Sequence, residues 1–257
     1  MIRMITAVTT ALMLIAASVA VAEDEGWSAD VGLSFSAQTG TTDTTSGTLD
    51  IKGARAWEND ELDLRFLGTI GTTREKGSGA SDTTQNSQAL FGSHKHTFTD
   101  RFFVGSQTEL SRDGTQDREV RFLLNTGPGY RVWLGDDAAK EHFDVSAGVG
   151  YRYEQYDGNQ GDPSSEQSGD SFADVVAAFE YKNLLFDGRI VYTHTGSARM
   201  PANQPASYIL RTEATAGVPL SDTWDLRIGF LAEYVADVPN VVNGLTTLTT
   251  IGVGYKF

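Results

Sequence analysis

An all-β fold, a single antiparallel up-and-down transmembrane β-barrel of about twelve strands, is what this sequence predicts. Three observations carry it: apolar and polar residues alternate with period two, longer polar connections alternate with shorter ones, and aromatic residues gather at strand ends. The alternation is plainest in three places. From Trp27, the residues Trp27, Ala29, Val31, Leu33, Phe35 and Ala37 share one face, while Ser28, Asp30, Gly32, Ser34, Ser36 and Gln38 share the other. From Phe143 the apolar set is Phe143, Val145, Ala147, Val149, Tyr151 and Tyr153, and from Trp224 it is Trp224, Leu226, Ile228, Phe230, Ala232 and Tyr234. Successive side chains of a strand point to opposite faces, so each of these stretches has one greasy side and one polar side.

Read in order, the strands fall at about 27–39, 46–57, 61–73, 86–98, 101–111, 119–133, 142–154, 171–181, 184–194, 207–219, 224–234 and 246–257. The connections 40–45, 74–85, 112–118, 155–170, 195–206 and 235–245 are longer and polar. Those at 58–60, Thr99-Asp100, Lys182-Asn183 and 220–223 are short, with 134–141 rather long for its class. A barrel in the bacterial outer membrane has this rhythm, with short periplasmic turns, longer outer loops and both termini periplasmic. A soluble sandwich has no such reason to alternate.

Residues 1–22 read as a cleaved secretory signal peptide, leaving the barrel to residues 23–257. Arg3 precedes the apolar run Ala11-Leu12-Met13-Leu14-Ile15-Ala16-Ala17, and Ala20-Val21-Ala22 supplies the small residues of a cleavage site. The apolar run is too short to cross about 30 Å of hydrocarbon as a helix. Cysteine is absent, which suits a chain exported to an oxidising compartment. Lys plus Arg number 20 against 34 for Asp plus Glu, a net charge of −14, so no basic surface offers itself to nucleic acid.

Trp27, Trp57, Phe143, Trp224, Tyr255 and Phe257 fall at the strand ends that this topology places on the periplasmic side. Tyr153, Tyr156, Tyr208 and Tyr234 fall at the opposite ends. Amphipathic rings prefer membrane interfaces, so the two sets are expected to form girdles in contact with outer-membrane lipid and lipopolysaccharide. The chain ends on Phe257, with Tyr255, Val253 and Ile251 before it on the same face. An aromatic at the end of a closing strand looks like the signal by which the barrel-assembly machinery recognises such proteins.

The sequence resembles the salt-stress-induced outer-membrane protein family, a group of barrels filed as a domain of unknown function. The residues that carry the resemblance run the length of the chain. They are Trp27 opening the first strand, Thr39-Gly40-Thr41-Thr42, Arg101-Phe102-Phe103-Val104 followed by Arg112-Asp113, and Gly127-Pro128-Gly129-Tyr130. Gly148-Val149-Gly150-Tyr151 and the closing Gly252-Val253-Gly254-Tyr255-Lys256-Phe257 complete them. The resemblance implies an outer-membrane barrel without a settled activity.

By parity, Arg65, Arg121, Arg131, Arg152, Arg189, Arg211 and Arg227 point into the lumen. So do Asp30, Asp50, Asp63, Glu109, Glu119, Asp144, Glu154, Asp187, Glu213, Asp225 and Glu233. Against lipid a base near the midplane costs about 2–4 kcal/mol, so inward is the cheaper direction. These charges either pair and fill the interior or line a narrow pore, and their acidic excess predicts a preference for cations. Catalysis and cofactors are not expected. His94 and His96 have a spacing that could bind a metal, but the sequence fixes no carboxylate beside them, and polarity near the headgroups is the expected account. His142 reads as rim polarity beside Asp144. His194 and Ser197 keep open the alternative of a barrel enzyme acting on lipid or lipopolysaccharide. The acidic stretch of Glu154, Asp157, Asp162, Glu166 and Asp170 lacks the regular spacing of a calcium loop. A soluble, secreted barrel that binds a ligand is the remaining alternative, and it requires the apolar faces to turn inward.

Overall fold

The structure, a computed structural model, describes residues 26–38, 42–75, 81–114, 118–137, 140–156, 169–236 and 245–257. The expected signal peptide at 1–22 and most of the acidic stretch between Glu154 and Asp170 lie outside the described residues. Twelve strands follow one another: β1 (Trp27–Gln38), β2 (Thr42–Trp57), β3 (Asp60–Glu75), β4 (Ser81–Thr97), β5 (Phe102–Asp113) and β6 (Arg118–Leu134). They continue with β7 (His142–Tyr156), β8 (Gly169–Leu185), β9 (Ile190–Pro201), β10 (Ile209–Pro219), β11 (Trp224–Val235) and β12 (Leu245–Lys256). Each strand pairs antiparallel with its chain neighbours, and β12 returns to β1 from Asp30↔Lys256 to Phe35↔Ile251, which closes the barrel. The first and last strands meet over these six positions, so neither is left as a free edge of an open sheet.

The polarity is that of a barrel turned inside out relative to a soluble one. Phe35 is 72% exposed, Val149 66% and Ile251 58%, whereas Arg121 is fully buried and Arg152 nearly so. Alternation along each strand therefore sends large apolar groups outward and charged groups inward. This excludes the soluble binder, which needs the opposite arrangement.

Two features depart from the sequence reading. The stretches Thr42–Thr45 and Ser81–Gln85 are strand, so β2, β3 and β4 run to 16, 16 and 17 residues. About 9–11 residues suffice to cross a bilayer, so these strands extend beyond it at the end away from the chain termini. Threonine is β-branched and favours the extended backbone, which outweighed its polarity as a sign of loop. The second departure concerns the β8–β9 turn, expected at Lys182-Asn183. The strand continues to Leu185 and the chain reverses at Phe186-Asp187-Gly188-Arg189, with φ of 55°, 58° and 81° at the first three. The Asp187-Gly188 pair is the turn signal, because glycine takes the left-handed backbone without steric cost.

Candidate functional site

The charges collected inside the barrel form three tiers along its axis. Nearest the end where β1 begins and β12 finishes, the terminus end, Arg131 holds Asp144, its Nε and Nη2 donating at 2.9 and 3.3 Å. Lys95 reaches across from β4 to Asp144 at 2.9 Å and to Glu180 at 3.5 Å, and Lys182 pairs with Glu180 at 2.9 Å. On the neighbouring wall Arg227 bridges Asp30 and Asp225, while Lys256 adds a contact to Asp225 at 3.0 Å.

The middle tier centres on Arg65. Its Nε and Nη2 grip Asp50 on the adjacent strand at 2.8 and 2.9 Å, and Nη2 also meets Glu213 of β10 at 2.7 Å. Arg211 of β10 reaches Glu109 of β5 at 3.3 Å. The far tier is built on Arg121, which donates to Glu154 at 2.6 Å and to Glu233 of β11 at 2.7 Å. Arg118 lies 3.6 Å from Glu233, and Arg152 pairs with Glu154 at 3.1 Å and Asp174 at 3.3 Å.

Several of these contacts are not local. Arg65 with Glu213, Arg211 with Glu109, and Arg121 with Glu233 each join strands with four others between them in a ring of twelve. They therefore cross the bore rather than follow the wall. A cavity of about 370 Å³ lies beside them, with Glu61, Lys95, Phe103, Asn125, Arg199 and Glu213 among its lining. Glycine makes room at two crowded places. A Cβ on Gly129 would stand 2.2 Å from the Phe103 ring, over which Lys95 sits, and one on Gly254 would stand 2.2 Å from the Arg227 guanidinium carbon.

Of the residues that parity placed in the lumen, Asp30, Asp50, Arg65, Glu109, Arg121, Arg131, Asp144, Arg152, Glu154, Arg211, Glu213, Asp225, Arg227 and Glu233 all take part in these tiers. Asp63 faces inward as expected but lines the cavity, accepting a hydrogen bond from Ser93 at 3.2 Å. Three others do not face the lumen. Arg189 and Asp187 belong to the exposed β8–β9 turn, since the strand outruns its expected end. Glu119 sits at a bulge where the β6–β7 register shifts between Arg118 and Val120. It accepts a hydrogen bond from Gln155 at 3.3 Å, and Gln155 shares with Tyr153 the face opposite Glu154, which is the outer one. The bulge turns Arg118 inward in its place. Lys95, Lys182, Arg118 and Arg199 are interior bases that the alternation alone did not bring out.

On the outer surface at the terminus end, Trp224, Tyr255 and Phe257 stack in series, with centroids 4.9 and 4.6 Å apart. Phe143 meets Tyr181 at 6.2 Å, Tyr181 meets Trp133 and Tyr192 at 6.1 Å each, and Phe102 meets Tyr130 at 4.9 Å. Arg55 lies between the rings of Trp27 and Trp57 at 5.9 and 5.7 Å. At the other end Tyr208 and Tyr234 pair at 5.8 Å, and Tyr153 donates to Gln155. In β12, Ile251, Val253 and Tyr255 pair with Phe35, Leu33 and Val31 of the first strand, and the Phe257 amide donates to the Ala29 carbonyl at 2.9 Å.

The histidines separate into three situations. His142, Asp144 and Glu180 bring metal-type donors within 4.8 Å of one another, but Lys95 Nζ already stands against both carboxylates, with Arg131 and Lys182 beside them. An ammonium thus occupies the place a cation would take. His194 faces outward, edge-on to Phe179 at 5.1 Å and bonded to Thr212 at 2.8 Å. Ser197 lines the interior cavity on the opposite face, so the two do not form a nucleophile and base pair. His94 and His96 both contact Asp60, a partner across the strand pair that spacing within one strand cannot reveal.

No curated protein matches the chain. Among solved structures, the translocator domain of the autotransporter NalP from Neisseria meningitidis is similar at 16% identity and a TM-score of 0.51, covering 98% of this chain and 96% of that one. The COG4313 outer membrane channel from Pseudomonas putida F1 is similar at 12% identity, with a TM-score of 0.49 and coverage of 90% and 95%. The NanC porin is similar at 13% identity, with a TM-score of 0.46 and coverage of 89% and 98%. At such identities a likeness concerns the fold, and the NalP domain supports the barrel. The family model described as a protein of unknown function, DUF481, matches residues 31–257, and the chain belongs to that family.

Proposed function

We propose that this protein is a non-catalytic barrel of the bacterial outer membrane that passes only small ions, its lumen narrowed by ion pairs that cross the bore. The observation that carries this reading is the contact of Arg65 with Glu213 and of Arg121 with Glu233 between nearly opposite walls. Charged groups that meet across a channel exclude solutes larger than a hydrated ion until they part. Cation preference is expected to be mild: Glu61 and Asp63 stand at the cavity on the terminus side, but Lys95, Lys182 and Arg199 line it too.

A part in salt stress fits the same design. The Arg65 and Glu213 side chains keep 21% and 18% of their surface open, so dissolved ions reach the pair. The screening length falls from about 8 Å at physiological ionic strength to about 3 Å at 1 M, which weakens such a contact. The outward aromatic rings support seating in lipid, with lipopolysaccharide at the end away from the termini. Ile251, Val253, Tyr255 and Phe257 are the segment offered to the assembly machinery.

Reconstituting the mature chain in a planar bilayer and recording current across a salt gradient tests the proposal. A conductance well below that of an open pore of equal strand number, rising faster than bulk conductivity as salt increases, is expected. Large steps that scale only with bulk conductivity, or strong anion selectivity, would overturn it.

A further inference from the structure

We propose that Asp60, His94 and His96 form a binding site for one divalent metal ion of the zinc class on the outer face of the barrel at its terminus end. The site is separate from the lumen and does not depend on the passage of ions through it. Strand pairing assembles it. The β3–β4 register sets Asp60 opposite His96 and Leu62 opposite His94, and period two puts both imidazoles on the outer face while Lys95 between them turns inward.

The two rings converge on a single atom. Asp60 Oδ1 lies 2.8 Å from His94 Nε2 and 2.9 Å from His96 Nδ1. With neutral imidazoles, both nitrogens must donate protons to that one oxygen. A metal ion replaces the two shared protons, turning both nitrogens into lone-pair donors beside a carboxylate that supplies charge. Binding therefore requires the two rings to swing toward one another, since each nitrogen is now set by its own hydrogen bond to Asp60 Oδ1. Two imidazoles and one carboxylate are a borderline donor set, suited to zinc, nickel or copper and poorly suited to magnesium or calcium, which prefer oxygen alone.

The surroundings hold the donors and leave them accessible. The Thr97 amide donates to the Asn59 carbonyl at 2.7 Å, which ties the end of β4 to the turn that carries Asp60. Trp57 lies 6.4 Å from the His94 ring, and Phe98 stands edge-on to His96 at 4.7 Å. The side chains remain 46%, 40% and 23% exposed for His94, His96 and Asp60, so an ion enters from water and keeps a coordination position for a water molecule. At His142, Asp144 and Glu180, by contrast, Lys95 Nζ stands against both carboxylates where an ion would have to sit.

Equilibrium dialysis of Zn²⁺ against the tag-free mature chain, folded in detergent micelles, tests the site. One zinc per chain is expected, not displaced by excess Mg²⁺. His94→Gln, His96→Gln and Asp60→Asn are each expected to weaken binding by at least about tenfold, and His194→Gln to leave it unchanged. Co²⁺ in place of zinc should give the visible absorption of a low-coordinate ion in the parent and not in the His94→Gln/His96→Gln double variant. The migration of unheated samples on a gel verifies that each variant is folded. Equal zinc binding by the parent and the double variant, or binding that His142→Gln abolishes instead, overturns the proposal.

Discussion

Arg121 of β6 and Glu233 of β11 face one another across the lumen, with Nη1 2.7 Å from Oε1, and neither strand neighbours the other. Arg121 is fully enclosed and its Nε also holds Glu154 at 2.6 Å, so one guanidinium serves two carboxylates. Removing it leaves Glu154 to Arg152 alone and Glu233 to the more distant Arg118 and Arg211. Arg121→Met is expected to cost about 3–5 kcal/mol in urea unfolding from lipid vesicles. Adding Glu233→Gln should recover part of that loss, because one acid then goes with the one base while Arg152 keeps Glu154. Equal stability of the single and double variants would show that the pairing is not what the arginine supplies.

Gly254 sits in the closing strand, where it pairs with Gly32 of β1 and Asp225 of β11. An added methyl would meet the Arg227 guanidinium, which bridges Asp30 and Asp225 across the seam. Gly254→Ala is therefore expected to destabilise the barrel by about 1–3 kcal/mol through overpacking. Gly217→Ala, where the nearest atom would be 3.9 Å away, should be nearly silent in the same unfolding experiment.

The sequence contains four tryptophans, and Trp27, Trp57, Trp133 and Trp224 all lie toward the terminus ends of their strands. If those ends sit at a membrane interface, bromine placed high on the acyl chain quenches their fluorescence more strongly than bromine near the bilayer centre. Stronger quenching from the centre would contradict the girdle. The same vesicles report orientation when the quencher is confined to one leaflet.

Arg189 closes the exposed β8–β9 turn and no longer belongs with the lumen charges. Arg189→Ala is expected to change stability by less than about 0.5 kcal/mol and to leave conductance as it was, in contrast with Arg211→Ala. A conductance change as large as that of the lumen variant would place the residue back in the pore.

The alternation of residues such as Trp27 through Ala37 made the barrel legible, because one period fixes both strand and face. Local exceptions to that period were not legible. The bulge at Glu119 reverses which neighbour turns inward, and the Asp187-Gly188 reversal moved a turn by several residues. Both are decided by pairing with the adjacent strand rather than by hydrophobicity. The cross-lumen partners lay further out of reach. Arg65 and Glu213 are far apart in the chain, and parity states that each faces inward without stating which wall it meets. Asp60 is the same kind of omission: His94 and His96 were visible within one strand, and their carboxylate came from the strand before it.

Single-channel recording of the chain carrying Glu213→Gln and Glu233→Gln, beside the parent, tests the ion-pair closure most directly. Loss of two acids that hold Arg65, Arg118 and Arg121 in place should raise the conductance severalfold and shift selectivity toward anions, with the salt dependence flattened. Unchanged conductance in a folded double variant would contradict a lumen closed by these pairs.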